Sequence, residues 1–224
     1  MKLSIKVQQD EFTAKVASAF DLGFDGTITT EVPDFELPMK EYNIGLIVGS
    51  SGSGKSTILQ SNETAQSNDW ARDKAIVSHF KTPDEAIEKL HACGLASIPT
   101  LCKPYHVLSN GEKYRADFAR KLHEGAKLDE FTSEVNRETA KSLCVSVAKY
   151  IRRKDIKNIT LASCHSDIID WLQPDWVFDC DKSEKFLNDD PVSKLKKVAR
   201  IEVFANPEEP AEDQLDMLKE VVNV

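Results

Sequence analysis

The chain has 224 residues, is 41% hydrophobic and 29% charged, and carries a formal net charge of -8 with a pI near 5.2. That profile fits one globular domain with a short appendage and argues against nonspecific coating of nucleic acid, leaving at most a local basic patch. No apolar run approaches the roughly 20 residues of a membrane helix, and the opening MKLSIKVQQDEF holds no secretory apolar core, so a cytoplasmic protein is expected.

The five cysteines, Cys93, Cys102, Cys144, Cys164 and Cys180, form no CxxC pair, and their odd number suggests neither a disulfide framework nor a zinc site. Most are expected to be buried small hydrophobes.

In chain order, the first clear element is residues 42–50, YNIGLIVGS. Ile44, Leu46, Ile47 and Val48 are nearly continuous, which predicts a strand covered on both faces of a mainly parallel sheet. Directly after it, Gly49, Ser50, Ser51, Gly52, Ser53, Gly54, Lys55, Ser56 and Thr57 match GxxxxGK[ST] in full. Glycines at these positions let the backbone wrap a nest of amides around phosphates, and the helix predicted over KSTILQ points its positive end at them. Lys55 is expected to reach the β- and γ-phosphates, Ser56 to offer a hydroxyl to Mg2+, and Thr57 to meet the α-phosphate. A bound nucleoside triphosphate follows.

TPDEAIEKLHACGL predicts a helix with Thr82 as N-cap, Pro83 first, Glu85 closing a capping box and Gly94 as the stop; Ile87 and Leu90 form its apolar face. LSNGE, residues 108–112, reads on its own as another capping box, Ser109 with Glu112. Next come Asp129 and Glu130, adjacent at the end of a weakly apolar strand pattern that contains Glu124, Gly125 and Lys127. Successive side chains on a strand diverge, so one carboxylate can hold Mg2+ while the other addresses a water; the alternative is a solvated surface pair.

SEVNRETAKSLCVSVAKYIRRKD predicts a long helix with Val135, Leu143, Val147 and Ile151 inward and Arg152, Arg153 and Lys154 complementing its C-terminal dipole. NITLASCHS and DWVFDCD predict two further strands, and the alternation of strands with helices gives an α/β fold. His165 falls just past the first of them, at the edge where such sheets present ligand-binding loops, either as a structural residue or as a hydrogen-bond donor to a γ-phosphate. After Asp181 the composition turns polar; KVARIEVFA is expected as a strand, and Leu215, Leu218 and Val222 as one face of a short amphipathic helix, either a docking element or a C-terminal helix folded back on its own domain. The expected division is a nucleotide-binding domain over residues 1–181 and an extension over 182–224.

The order phosphate loop, LSNGE, Asp129-Glu130, His165 resembles that of the ABC-type ATPases, in which an LSGGQ signature precedes the Walker B carboxylates and a switch histidine follows. More closely, KPYHVLSNGEKYRADFAR, DEFTSEVNRETAK and SCHSDIIDWLQPDWVFD are similar to the prokaryotic and phage ABC-type ATPases often fused to a predicted GNAT acetyltransferase domain. The similarity spans about residues 45–181, and the stretch beyond is expected to be too short for a complete acetyltransferase.

The resemblance implies a P-loop NTPase fold with a short helical subdomain, a soluble Mg-dependent ATPase, and a homodimer closed by ATP. Ser109, Asn110 and Gly111 of one subunit would meet the nucleotide held by the other. Glu130 would polarise the attacking water, Asp129 would organise Mg2+ with Ser56, and His165 would sense the γ-phosphate. Residues 133–136 would form the loop that crosses the dimer, with Asn136 where the family usually has Asp. No glutamine marks a Q-loop; Ser78 and His79 lie near that position, and Phe20 and Phe24 are candidates to stack on adenine. A protein partner, acetyltransferase-like or other, is implied but not identified. Two alternatives remain at this point: a small-molecule or nucleotide kinase with Arg152 and Arg153 in a lid, and a slow nucleotide-switched interaction protein.

Overall fold

The computed structural model describes residues 2–59 and 69–205. The chain opens with β1 (Lys2–Lys6), helix α1 (Glu11–Ala19) and β2 (Thr27–Glu31), the strands pairing antiparallel from Lys2↔Glu31 to Lys6↔Thr27. Asp10 starts α1 through a capping box with Thr13.

β3 (Ile44–Val48) runs into α2 (Lys55–Leu59). A small helical region follows: α3 (Pro83–Ala92), α4 (Ile98–Leu101) and α5 (Asn110–Lys121), with single 3-10 turns at Ile76–His79 and Tyr105–Val107. The chain then returns through β4 (Lys127–Leu128), α6 (Arg137–Arg153), β5 (Ile159–Ser163), α7 (Ile168–Leu172), β6 (Trp176–Asp179), β7 (Glu184–Leu187) and α8 (Pro191–Ala205).

The main sheet has the order β4-β5-β3-β6-β7, parallel except for β7. β3 lies at its centre and is buried along its whole length, as its unbroken apolar run predicts. Ile44, Leu46 and Val48 face a large core built with α3, α5, α6 and α7; Ile47 faces a smaller one with Ile58, Leu59, Trp176 and Phe178. On that second face Trp176 lies flat over Gly45, where an added Cβ would sit 2.1 Å from the indole ring.

Several expectations need correction. KVARIEVFA belongs to helix α8 instead of a strand, because Leu195 and Val198, three residues apart, turn the same face onto the core beside α6 and α7. In α3, Ala86 and Leu90 face inward while Ile87 is 41% exposed. Thr82 caps that helix by accepting from the Glu85 amide at 3.1 Å, but the Glu85 carboxylate pairs with Lys89 at 2.8 Å instead of closing the box. The amphipathic segment around Leu215, Leu218 and Val222 lies outside the described residues. Among the described residues, no helix is long and apolar enough to cross a membrane.

Candidate functional site

The parallel strands β3, β5 and β4 all end at one edge of the sheet, and the loops leaving them carry the candidate residues. From β3, the chain turns at residues 49–54, closed by the Ser53 amide donating to the Ser50 carbonyl at 3.2 Å, and enters α2. Gly54 has φ 92°, and a Cβ there would meet Val32 Cγ1 at 2.6 Å; only glycine serves at this point of close approach between the loop and the chain arriving from β2.

Lys55 is 7% exposed and folds its ammonium back into the loop, donating to the carbonyls of Gly49 at 2.9 Å and Ser50 at 2.7 Å. Ser51 and Gly52 are exposed, and Ser53, Gly54 and Thr57 are half-buried. Ser56 is exposed and its hydroxyl donates to Asp129 Oδ2 in a short hydrogen bond. Two strands apart in the sheet, the phosphate-type loop and the carboxylate pair thus meet side chain to side chain.

After β4, Asp129 also accepts the Glu130 amide at Oδ1, 2.8 Å away. Glu130, exposed, and Thr132, fully buried, both adopt left-handed backbone, at φ 54° and 71°. Phe131 between them is fully buried and its amide bonds to the Ala162 carbonyl on β5 at 2.8 Å. Past β5, the half-buried His165 turns Nδ1 toward the Thr132 hydroxyl at 3.3 Å. The loop after β4 therefore meets Ser56 through Asp129, and His165, on the loop after β5, through Thr132.

Ser109 heads α5 with the capping box in full: its hydroxyl accepts from the Glu112 amide at 3.4 Å, and the Glu112 carboxylate accepts from the Ser109 amide and hydroxyl, both at 2.8 Å. Those bonds, the backbone one first, hold the Glu112 carboxyl below its ordinary range. Ser109 and Asn110 are exposed, and Gly111 lies near the Glu134 carbonyl. Among the described residues no hydrogen bond joins residues 109–111 to residues 49–57.

Two features escaped the sequence reading. Asp181, just after β6, accepts from both the amide and the hydroxyl of Ser50 at 2.8 Å, and these bonds hold its carboxyl below the usual range. Its proximity to the loop follows from β6 lying next to β3, which spacing alone does not reveal. Tyr114 on α5 reaches the Glu130–Thr132 loop, a contact with no local signal in sequence. Asn136, expected in a dimer-crossing loop, caps α6 by accepting the Thr139 amide at 2.9 Å. His79 packs edge-on against Trp70 in the helical region, and burial lowers its pKa. Phe20 follows α1 and is 79% exposed.

Arg152, one of the two candidate lid arginines of the kinase alternative, lies away from the phosphate-type loop. Arg152 bonds to Asp175 at 3.0 Å and to the Gln173 carbonyl at 2.7 Å, at the edge of the sheet where β3 begins. The phosphate-type loop leaves the other end of that strand, so this arginine is no lid over it.

No protein-family model matches the sequence, and no curated protein is similar enough to count as a match. Solved structures do match in fold. A dimeric structure of the ATP-binding cassette MJ0796 in a post-hydrolysis state, bound to ADP and Pi, aligns over 80% of this chain and 94% of its own, with TM-score 0.50 and 14% identity. The chain has the ATP-binding-cassette fold. A second dimeric structure of MJ0796, a bacterial ABC transporter cassette, aligns over 69% of this chain and 88% of its own, with TM-score 0.49 and 15% identity. In this chain, β5 lies between the strand of the phosphate-type loop and the strand of the carboxylates, which sets the span that Ser56 and Asp129 bridge.

Proposed function

We propose that this cassette is a soluble Mg-dependent ATPase that binds ATP between residues 49–57 of one copy and residues 109–111 of a second, hydrolyses it, and passes the closure of the pair to a protein partner. The observation that carries the reading is the hydrogen bond from Ser56 Oγ to Asp129 Oδ2, with Glu130 next in the chain. A hydroxyl and a carboxylate directed at one point are a hard-oxygen pair suited to Mg2+, which takes one or two protein ligands and leaves the rest to water and phosphate oxygens. When bound, that ion neutralises charge on the β- and γ-phosphates.

The protein's own groups account for the remaining work. Lys55 exchanges the carbonyls of Gly49 and Ser50 for phosphate oxygens, and the amides from Gly52 to Thr57 cradle the triphosphate. Glu130 accepts a proton from the attacking water, a general-base role worth roughly 10²- to 10⁴-fold in rate. His165, with Nδ1 toward Thr132, has Nε2 left to donate to the γ-phosphate. The second copy supplies Ser109 and the free amides of Asn110 and Gly111, at the positive end of a 12-residue helix. Their exposure supports this role, as does the dimeric ADP- and Pi-bound neighbour.

The test is Glu130→Gln. Phosphate release at saturating Mg-ATP should fall about 100-fold or more while ATP still binds. Sedimentation should then find an ATP-dependent dimer. A protein that stays monomeric under those conditions would refute the paired site.

A further inference from the structure

We propose that Tyr114 is a positioning residue for hydrolysis, holding Glu130 and His165 in place from the helix whose tip serves the opposite nucleotide. The inference rests on the paired-site reading above and names the internal link between its two halves. Tyr114 lies on α5, five residues beyond the Ser109 cap. Its hydroxyl accepts the Thr132 amide at 2.8 Å and directs its own proton toward the Glu130 carbonyl in a longer contact of 3.5 Å.

The loop it grips needs gripping. A left-handed backbone is uncommon for any residue except glycine and is a genuine outlier for a β-branched one, yet Thr132 has φ 71° and Glu130 φ 54°. Such residues persist only where their surroundings over-determine them. Ser133 supplies one restraint, its hydroxyl and amide both donating to the Glu130 carbonyl at 2.8 and 3.1 Å. Phe131, anchored on β5, supplies another. Tyr114 supplies the third, a hydrogen bond from the helical region, beside the ring contact that Phe118 of the same helix makes with Phe131 at 5.1 Å between centroids. Thr132 is fully buried, so without the phenol its amide has no water to turn to.

The consequence reaches both groups that would act on the γ-phosphate. Thr132 carries the hydroxyl against His165 Nδ1, and Glu130 is the proposed base. The Tyr114 ring is itself fixed, packed on the main core with Phe118 stacked at 6.3 Å between centroids. The tip of α5, Ser109, and its flank, Tyr114, move as one rigid turn and a half of helix. Docking of Ser109 onto a second copy's ATP therefore bears on the geometry of Glu130 and His165 in its own chain, with the Tyr114 phenol oxygen as the hydrogen-bonded link between the two composite sites.

Tyr114→Phe tests this, since it keeps the ring and removes only the oxygen. The melting temperature should stay within about 5 °C of wild type. kcat should fall about tenfold with KM for ATP within about twofold, the split expected when an interaction matters only beyond substrate binding. Hydrogen exchange at the Thr132 amide in the nucleotide-free protein should quicken about tenfold or more. A kcat within about twofold of wild type, with wild-type hydrolysis intact, would overturn the role of Tyr114 and leave the ATPase standing. Unchanged exchange at Thr132 would refute the bond itself. A wild-type protein that releases no phosphate would remove the proposed function and this inference together.

Discussion

Gly45 governs how the central strand meets its neighbour. Trp176, 2% exposed, fills the space a side chain at position 45 would take, with the indole 2.1 Å from a built Cβ. A ring locked in a core cannot swing aside as a flexible chain would, so Gly45→Ala must push β6 away from β3 or rotate the indole. Overpacking of this kind costs about 1–3 kcal/mol, visible as a lower urea midpoint with unchanged slope. An unchanged midpoint would mean that Trp176 has room to turn. In sequence, Gly45 interrupts an otherwise apolar run with no visible reason; the reason is a tryptophan far along the chain, brought alongside by the parallel pairing Gly45↔Trp176.

Helix α5 has a cap and a proposed phosphate donor at its start, and the two can be separated. As an N-cap, Ser109 contributes about 0.5–2 kcal/mol, which Ser109→Ala should lose. As a proposed donor to the second copy's γ-phosphate it also matters for turnover. Ser109→Asp should recover the stability, since Asp caps as well as Ser, and still fail to hydrolyse ATP, because a carboxylate would face the phosphate. Equal turnover in wild type and Ser109→Asp would reduce the feature to a cap. The pH dependence has a definite sign. Glu112 has its folded pKa lowered by the Ser109 amide and hydroxyl, so its stabilisation is complete above the unfolded value of about 4.3 and is lost as pH falls through the folded value. The stability gap between wild type and Ser109→Ala should narrow in acid over that window. Elements like α3, with Thr82 and Gly94 marking its two ends, were legible from sequence, as were the start of α5, β3 and the loop after it. α8 was misread because its β-branched residues suit a strand, while packing on α6 and α7 selects helical spacing. β4 spans two residues, in keeping with the weak pattern around Lys127, and owes its existence to pairing with β5.

At the scale of the whole molecule, the sheet has a fastened edge and a working edge. At the fastened edge Asp175 accepts the amides of Asn43 and Ile44 at 2.8 and 2.7 Å with one oxygen and Arg152 with the other, and Arg152 reaches on to the Gln173 carbonyl. This clasp joins the starts of β3 and β6 to the end of α6, with side chains only 11% and 24% exposed. At the working edge the loops instead spend their polar groups on one another: Lys55 on loop carbonyls, Ser56 on Asp129, Ser50 on Asp181. Such bonds, between exposed or loop groups, are the kind a ligand can replace, whereas the clasp is largely buried. Sequence could name most of the working edge from its motif, but the clasp is built from residues over a hundred positions apart and carries no motif. The difference predicts how substitutions divide. Arg152→Ala leaves Asp175 and the Gln173 carbonyl short of a partner in a largely buried setting, at a cost of about 1–3 kcal/mol in unfolding free energy. KM for ATP should stay within about twofold, because the clasp and the phosphate-type loop share no hydrogen-bond partner, Arg152 bonding to Asp175 and Gln173 and Lys55 to Gly49 and Ser50. A tenfold rise in KM with little loss of stability would mean that the two edges are coupled through β3, and that the arginine at the far end of the sheet tunes the phosphate-type loop after all.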